Sequence, residues 1–365
     1  MLITSLLALS ALATTPAEFR NWGKETLRQI ERDLFDPGEG LYYEEAKLGT
    51  PPKSVAFTWS VGVMLQALNS GARADFGVHP NAAASRLAAY ANAIRRYWNP
   101  EGPVAGFDVL PMPKSKDRYY DDNEWMVIAL VDTAGILKSP SAMQLAKDAF
   151  TFVMSGSDSK LGGGIYWRES DKASKNTCSN APAAAAALAL FGATKDARYL
   201  KIAQALYAWT RSNLRDPSDG LYWDNISLDG RVQKAKWSYN TGLMLRAAAD
   251  LYAATKTESY ADDVREIQRA SLKRWTGTNG SFTDDGKFMH LLLENWLRAY
   301  REVPNVEDPR PAIDTGLTRL HDLGKDSMGH YGNRWNDTPK NGPYNPYTLI
   351  DQASAARAYL EAAAR

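Results

Sequence analysis

The sequence predicts an all-α fold in which six inner and six outer helices form an (α/α)6 barrel. Three observations predict it: a short motif recurs six times along the 365 residues, each recurrence separates two helical patterns, and the two sets of helices differ in charge. A straight αα-solenoid is the alternative, because periodicity alone does not show whether the array closes. We expect residues 14–365 to form a single domain.

The recurring motif is a glycine followed within two residues by an aromatic or acidic residue. It returns at intervals of about 60 residues, which is the scale of a repeat architecture. The six copies are Gly40-Leu41-Tyr42, Gly106-Phe107-Asp108, Gly164-Ile165-Tyr166, Gly220-Leu221-Tyr222, Gly280-Ser281-Phe282 and Gly329-His330-Tyr331. Each copy is predicted to form a hairpin or an ordered loop.

Apolar spacing places one helix before and one after each motif. The helices before the motif are predicted at 16–34, 80–98, 139–155, 195–213, 257–275 and 308–323. Those after it are predicted at 55–70, 121–138, 180–192, 238–255, 287–302 and 346–363. The segment 257–275 is rich in charge, whereas 55–70 and 180–192 contain none. A helix without a polar face is buried on most sides, so the second set is predicted to form the inner ring.

Composition excludes several functional classes. The 43 basic residues nearly balance the 42 acidic ones, which argues against a nucleic-acid or anionic-membrane partner. Cys178 is the only cysteine and there are four histidines, so neither a disulfide framework nor a metal centre is expected. The 11 Trp and 18 Tyr exceed what an average core needs, and such rings often line sugar-binding clefts.

The N-terminus suggests secretion. The apolar run from Leu2 to Leu12 ends in Ala11-Leu12-Ala13, the small-residue spacing of a signal-peptidase site. The run is shorter than the roughly 20 residues that a transmembrane helix needs. We therefore expect residues 1–13 to be a signal peptide, with a packed or disordered N-terminus as the alternative.

The sharpest chemical feature is the pair Asp121-Asp122 at the predicted start of an inner helix. Two carboxylates are the minimal set for glycoside hydrolysis, and neighbouring positions favour the separation of about 5–5.5 Å found in retaining enzymes. Helix capping is the alternative, because an acidic residue is favourable at a helix N-terminus. The residues alone do not show which aspartate would attack and which would donate the proton.

Aromatic and amide side chains recur at the starts of the inner helices, and these groups suit a polyhydroxylated ligand. Core packing is the alternative for the two tryptophans among them. The predicted substrate-binding residues of this kind are Trp59, Tyr120, Asn123, Trp125, Asn180, Tyr239 and Asn240. Cys178 is predicted to be a small buried residue rather than a nucleophile.

The segment Tyr119-Tyr120-Asp121-Asp122-Asn123-Glu124-Trp125 resembles the signature of glycoside hydrolase family 76, the α-1,6-mannanases, and the chain looks like a secreted fungal member. Other segments fit the family in order, and the similarity spans about residues 20–363. They are residues 163–168, 179–182, 220–224, 237–242 and 352–357. The region 287–291 departs from the family pattern, which often shows a Lys-Gly-Ile-Phe type motif there.

The resemblance implies an (α/α)6 barrel that hydrolyses α-1,6-mannosidic bonds of mannan with retention and without a metal or cofactor. By family pattern, Asp121 matches the nucleophile and Asp122 the general acid/base. Asp224 matches a further acidic residue of the cleft, with a polar loop cap as the alternative. We expect a secreted, monomeric, endo-acting enzyme; a mannan transglycosylase or a non-catalytic mannan-binding protein on the same scaffold are the alternatives.

Overall fold

The computed structural model describes residues 14–75, 82–113, 117–339 and 342–365, and twelve α-helices lie within them. The predicted signal peptide, residues 1–13, lies outside this part. The inner helices are α2 (Thr58–Arg73), α4 (Tyr120–Leu137), α6 (Thr177–Thr194), α8 (Ser238–Thr255), α10 (Gly286–Glu302) and α12 (Leu349–Ala363). The outer helices are α1 (Pro16–Asp33), α3 (Ala82–Ala93), α5 (Pro140–Ser155), α7 (Ala197–Leu214), α9 (Glu258–Trp275) and α11 (Arg310–Arg319).

The inner helices form a closed ring. Each packs against the next one, and α12 packs against both α10 and α2. The (α/α)6 barrel is therefore confirmed, and the open solenoid is wrong. Alanine permits this convergence: every residue from Ala181 to Ala187 in α6 is buried, and small side chains let helix backbones approach closely.

Most predicted helix bounds are right within three residues, and two outer helices are shorter than expected. The predicted helix 80–98 ends at Ala93 and continues as a 3₁₀ turn, Ile94–Tyr97, while positions 80–81 lie outside the described residues. The predicted helix 308–323 becomes α11 followed by a π-helical turn, Leu320–Gly324.

Short connections run from an inner helix to the following outer one. After α4, Lys138 adopts a left-handed conformation with φ 50° and Ser139 caps α5 through the backbone N–H of Ala142. Lys195 and Lys256 end α6 and α8 in the same conformation. The long connections, from outer to next inner helix, are consequently left free to build the opposite end of the barrel.

Each long connection inserts one buried residue into the barrel wall. This residue pairs in antiparallel fashion with a residue near the end of the preceding outer helix. The six inserted residues are Tyr42, Phe107, Ile165, Tyr222, Phe282 and Tyr331. Phe107 and Ile165 directly follow their glycines, whereas Tyr42 and Tyr222 stand two positions after theirs. The aligned motif is therefore one residue out of register in the second and third repeats.

Nine short strands occur in the described part of these connections. They are β1 (Phe35–Asp36), β2 (Leu41–Tyr42), β3 (Glu45–Ala46), β4 (Trp98–Asn99), β5 (Gly106–Phe107), β6 (Ser174–Asn176), β7 (Asn225–Ser227), β8 (Val232–Gln233) and β9 (Tyr347–Thr348). The order is β1-β2, β4-β5 and β6-β7-β8, and β3 pairs with β9 from the far end of the chain, with Glu45 opposite Thr348.

The first backbone N–H of each inner helix bonds to the connection of the next repeat. Tyr120 N donates to Trp167 O at 3.0 Å, Thr177 N to Asp224 O at 2.8 Å, and Leu349 N closes the ring on Glu44 O at 2.8 Å. These bonds satisfy donors that a helix start leaves unpaired. They also fix the residue two positions after each inserted side chain at the mouth of the barrel.

No helix among the described residues is long and apolar enough to span a bilayer.

Candidate active site

The aspartate pair lies in the first turn of α4 at the mouth of the barrel. The N-cap residue is Tyr119, which makes no side-chain capping bond, so neither aspartate is the N-cap. Asp121 Oδ1 does accept the backbone N–H of Asp122 at 3.0 Å, and the helix N-terminus favours a negative charge there. Stabilisation of the helix start thus accounts for Oδ1 of Asp121. It does not account for the other oxygen of Asp121 or for the carboxyl group of Asp122.

Asp121 is held by donors from the neighbouring repeat. Trp167 Nε1 donates to its Oδ2 at 2.9 Å. Burial raises the pKa of Asp121 to about 6, and hydrogen bonds from Trp167, the Asp122 backbone and Cys178 limit that rise. The carboxylate is therefore ionised at neutral pH and fixed in orientation.

Asp122 has a different environment. Burial and the neighbouring charge of Asp121 raise its pKa well above the ordinary range, and Asp117 and Glu44 add to the effect. Two adjacent carboxyl groups with unequal environments do not ionise together. The arrangement pairs an anion, Asp121, with a carboxylic acid, Asp122.

Glu124 lies fully buried one helical turn below the pair, and neither carboxyl oxygen has a hydrogen-bond partner among the described residues. Burial raises its pKa well above the ordinary range, and the charges of Asp121 and Asp122 add to this. The side chain is therefore neutral beside the pair.

Aromatic rings from three inner helices form a platform across the barrel mouth. Phe288 stacks on Tyr239 with ring centroids 4.5 Å apart and on Trp59 at 5.9 Å. The Trp237 ring lies 5.6 Å from Phe288, and Lys287 Nζ lies 5.4 Å from it. Trp59 and Tyr239, both predicted to bind substrate, are thus brought together, with Phe288 from the region that departs from the family pattern between them.

Asp224 and Asn240 face each other beside this platform. Burial raises the pKa of Asp224, while Asn225, Asn240 and Trp237 lower it. Asn225 Nδ2 donates to Asp224 Oδ2 at 2.9 Å. The Asn240 carboxamide is buried and makes no bond of good geometry in the described structure. It is therefore poised for a polar ligand group.

Two predicted substrate-binding residues lie in the core instead. The Tyr120 ring stacks on Phe152 at 5.0 Å and is 1% exposed. Trp125 is 3% exposed and packs against Gly62, where an added Cβ would come within 3.0 Å of it. Both rings are almost completely buried, Tyr120 against Phe152 of α5 and Trp125 next to Gly62 of α2.

Asn123 and Asn180 also differ from the prediction, since they hold the inserted residues. Asn123 Oδ1 accepts the N–H of Phe107 at 2.7 Å and its Nδ2 donates to the Phe107 carbonyl at 3.0 Å. Asn180 binds Ile165 in the same way, at 2.8 and 3.0 Å. Both carboxamides bind the backbone through their oxygen and their nitrogen, which supports a structural role. Gln352 of α12 binds the backbone of Tyr331 in the same way. Comparing the repeats would have shown a carboxamide at this position in several inner helices, which indicates a role in the fold.

Several cleft residues were not singled out from the sequence. Phe57, Trp167 and Trp237 are 46%, 42% and 38% exposed, which is unusual for large rings. Phe57 and Trp237 are the N-cap residues of α2 and α8, and Trp167 lies in the connection whose backbone carbonyl binds the first N–H of α4. Glu44, whose pKa burial raises, accepts from Phe57 N at 2.9 Å and Ser60 Oγ at 2.9 Å. Trp167 carried a signal, because it is the residue two positions after the inserted Ile165.

The sequence has two further Asp-Asp pairs, Asp262-Asp263 and Asp284-Asp285, and one aspartate of each holds the scaffold. Asp284 Oδ2 accepts the first N–H of α8, Ser238 N, at 2.7 Å, so it caps a neighbouring helix. Asp263 is buried and accepts from Tyr207 and from Arg211 and Arg215. No cluster of three or more His, Cys, Asp or Glu with metal-binding geometry occurs in the described part of the chain.

Comparisons with known proteins place the chain among glycosidases. The sequence model described as glycosyl hydrolase family 76 matches residues 33–362. A GH76 α-mannanase from Bacteroides thetaiotaomicron is 31% identical, with a TM-score of 0.84 covering 94% of this chain and 95% of that chain. The mannan endo-1,6-alpha-mannosidase DCW1 of Saccharomyces cerevisiae is 28% identical over 181 residues, 45% of this chain and 40% of that protein. The chain thus matches less than half of the length of its curated relatives.

A further solved structure shares the fold. It is an inactive variant, with two aspartates substituted, of the α-1,6-mannanase GH76A of Salegentibacter sp. HEL1_6, in complex with α-1,6-mannotriose. It is 22% identical, with a TM-score of 0.80 covering 95% of this chain and 99% of that chain.

Proposed function

We propose that this chain, which belongs to glycosyl hydrolase family 76, is a retaining endo-glycosidase that cleaves α-1,6-mannosidic bonds in mannan. The observation that carries the proposal is the unequal pair at the barrel mouth: Asp121 is anionic and oriented, and Asp122 is a protonated neighbour. The printed activities of the yeast relative and of the Salegentibacter enzyme support the choice of sugar and linkage.

The geometry supports one assignment of roles. Asp121 attacks the anomeric carbon while Asp122 gives its proton to the leaving glycosidic oxygen, so the C–O bond breaks and an ester to Asp121 forms. Asp122, now ionised, takes a proton from water as that water attacks the anomeric carbon; the bond between this carbon and the Asp121 oxygen breaks, and the Asp121 carboxylate is released. The hydrogen bond from Trp167 favours the anion required for attack, and burial favours the acid required for protonation.

The neighbouring groups would bind the sugar chain. The rings of Trp59, Tyr239 and Phe288 offer apolar faces to the C–H surfaces of pyranoses, and exposed Trp167 extends this surface beside the pair. Asp224 and Asn240 supply hydrogen-bonding groups for hydroxyls. The printed name of the yeast relative, a mannan endo-1,6-alpha-mannosidase, supports internal cleavage of a long chain.

Incubation with linear α-1,6-mannan tests the proposal, with products followed by NMR of the anomeric protons. We expect short oligosaccharides whose first-formed anomer is α. Asp121→Asn and Asp122→Asn should each lose activity by several orders of magnitude, whereas Asp262→Asn, on the exposed face of α9, should retain it. A β anomer formed first would refute retention, and full activity in either variant would refute the assigned roles.

Two other outcomes identify the alternatives. Products longer than the starting oligosaccharide would identify a transglycosylase, because the same ester can react with a sugar hydroxyl instead of water. Saturable mannan binding without any product would identify a binding protein.

We also propose that residues 14–365 act as one secreted, monomeric catalytic unit. The support is the apolar leader at 1–13 and the single ring of helices. N-terminal sequencing of protein exported by a secretory host should show cleavage after Ala13, and sedimentation should give a mass near that of one chain. Retention in the cell or a dimeric mass would contradict this.

A further inference from the structure

Two adjoining cavities of about 440 and 560 Å³ lie at the end of the barrel opposite the aspartate pair. They are lined by the C-terminal halves of the inner helices and share part of their walls. The residues common to both are Gln66, Arg73, Asp132, Glu294, Arg298 and Arg357. Arg246 and Asp250 of α8 line the first cavity. Nothing in the proposed reaction uses this space.

Cations outnumber anions in the centre of this wall. Arg357 pairs with Glu294, and Arg298 Nη1 lies 2.9 Å from Asp250 Oδ1. The remaining guanidinium, Arg246, comes no closer than 3.6 Å to Asp250, and Asp250 is already bound by Arg298. Three arginines therefore share two carboxylates in the centre, and the lining of the two cavities as a whole carries seven basic and six acidic side chains, an excess of one positive charge.

Arg246 is the least compensated of the three. It is 7% exposed, and its only recorded partner among the described residues is that distant contact with Asp250. Burial lowers its pKa, and the charges of Arg298 and Arg357 add to this, although Asp250 and Glu294 oppose them. The Nε–H groups of all three arginines lack an acceptor. A buried guanidinium without an acceptor is costly, because desolvation is not repaid by a bond.

Helix capping does not explain Arg246. Arginines near a helix C-terminus often bond the last carbonyls, but Arg246 lies in the middle of α8 and bonds no carbonyl in the described structure. The surrounding charges also respond to its presence: burial alone would raise the pKa of Glu294, yet Arg357, Arg246 and Arg298 bring it down to about 2. The field at this point of the cavity therefore favours negative charge.

We propose that this cavity binds a small oxyanion, a phosphate or a carboxylate, against Arg246, Arg298 and Arg357. Arginine forks match the paired oxygens of both groups, and one monoanion balances the unmatched charge. The site is separate from the aspartate pair, so it holds whether or not the chain cleaves mannan. Bound anion would stabilise the junction of α8, α10 and α12.

The test is calorimetric titration and thermal unfolding of the whole protein with inorganic phosphate, at constant ionic strength maintained with chloride. Acetate in a second titration distinguishes a planar carboxylate from a tetrahedral anion. We expect saturable binding of at least one of them, and a fall in the unfolding constant of about 100-fold when the anion is at 100 times its Kd. The Asp121→Asn/Asp122→Asn double variant should bind equally well, which separates this result from activity.

Arg246→Met should weaken binding by at least about tenfold, while Arg269→Met, which removes one exposed arginine from α9, should leave it unchanged. Arg246→Lys keeps the positive charge but loses the planar guanidinium, so it should weaken anion binding to an intermediate degree. This variant tests the proposal if Arg246→Met does not fold. No saturable binding of either anion, or equal loss in Arg269→Met and Arg246→Met, would overturn the proposal.

Discussion

Replacing Asp121 with asparagine separates a catalytic carboxylate from a helix-capping one. A catalytic carboxylate held in a buried site costs stability, whereas a capping residue contributes stability. The two roles therefore predict opposite changes in the free energy of unfolding. We expect Asp121→Asn to abolish turnover and to make the protein more stable at neutral pH.

The magnitude follows from the pKa. Folding raises the pKa of Asp121 from 3.8 to about 6, and about 2 units at 1.36 kcal/mol each correspond to roughly 3 kcal/mol at pH 7. Partial exposure to solvent reduces this figure. The variant also loses about 0.3–1 kcal/mol from the helix dipole and part of the bond from Trp167. We expect a net gain of about 1–2 kcal/mol, or about 1–3 °C in Tm for a chain of this length.

The sign depends on pH. Because the folded state holds its proton more tightly than the unfolded state, the native protein loses stability as the pH rises from about 4 to about 6. The variant does not titrate there, so its advantage should be absent below about pH 4 and complete above about pH 6.

Urea unfolding of both proteins across this range, with turnover of linear α-1,6-mannan measured in parallel, provides the assay. A variant that is about 1 kcal/mol less stable at pH 7 and still active would refute the reasoning and establish capping.

Three further predictions concern neighbouring residues. Trp167→Phe removes the hydrogen-bond donor to Asp121, so the acid limb of the pH profile of kcat/KM should move up by about 1 pH unit. The control Trp209→Phe, which loses a bond to a backbone carbonyl, should leave that limb in place. If the acid limb lies at the same pH in both variants, the contact between Trp167 and Asp121 does not set it. Cys178→Ala should move the limb in the same direction by less, and burial, which raises the thiol pKa well above normal, should make native Cys178 inert to a thiol reagent that reacts after unfolding. Asn123→Ala leaves both polar backbone groups of Phe107 unpaired, so it should cost about 2–4 kcal/mol in urea unfolding while the folded fraction keeps its KM; a changed KM would return Asn123 to the substrate.

Much of the fold could be predicted because its cause is local and repeated. The absence of charge at 55–70 and 180–192 identified inner helices, and the position of Asp121-Asp122 at a helix start followed from the apolar spacing. Periodicity left the open solenoid as an alternative to the predicted closed ring, since closure depends on the contact between α12 and α2 and not on any segment alone.

The candidate site was predicted less well around the pair than at a distance from it. Successive residues of a helix are rotated by about 100°, so Tyr120 and Asn123 point elsewhere than Asp121 does, whereas Glu124, three positions on, lies on its side of α4. Proximity in sequence therefore does not by itself make Tyr120 or Asn123 a ligand contact, and Trp125, which shares the Asp121 side of α4, is buried next to α2. Trp167 was missed for the converse reason, because the hydrogen bond that joins it to Asp121 spans 46 positions.

The closure of the ring also determines the order in which the chain can fold. α12 fills the place between α10 and α2 and packs on α1, and Ser70 Oγ donates to Glu361 Oε1 at 2.6 Å across 291 positions. During synthesis, the apolar sides of α1 and α2 must therefore remain uncovered until the last helix has emerged. Contacts of such long separation slow folding and prolong the exposure of apolar surface. Joining the two ends and opening the chain at the short turn after α4 would bring α12 and α2 together early, while the closed ring of twelve helices stays the same.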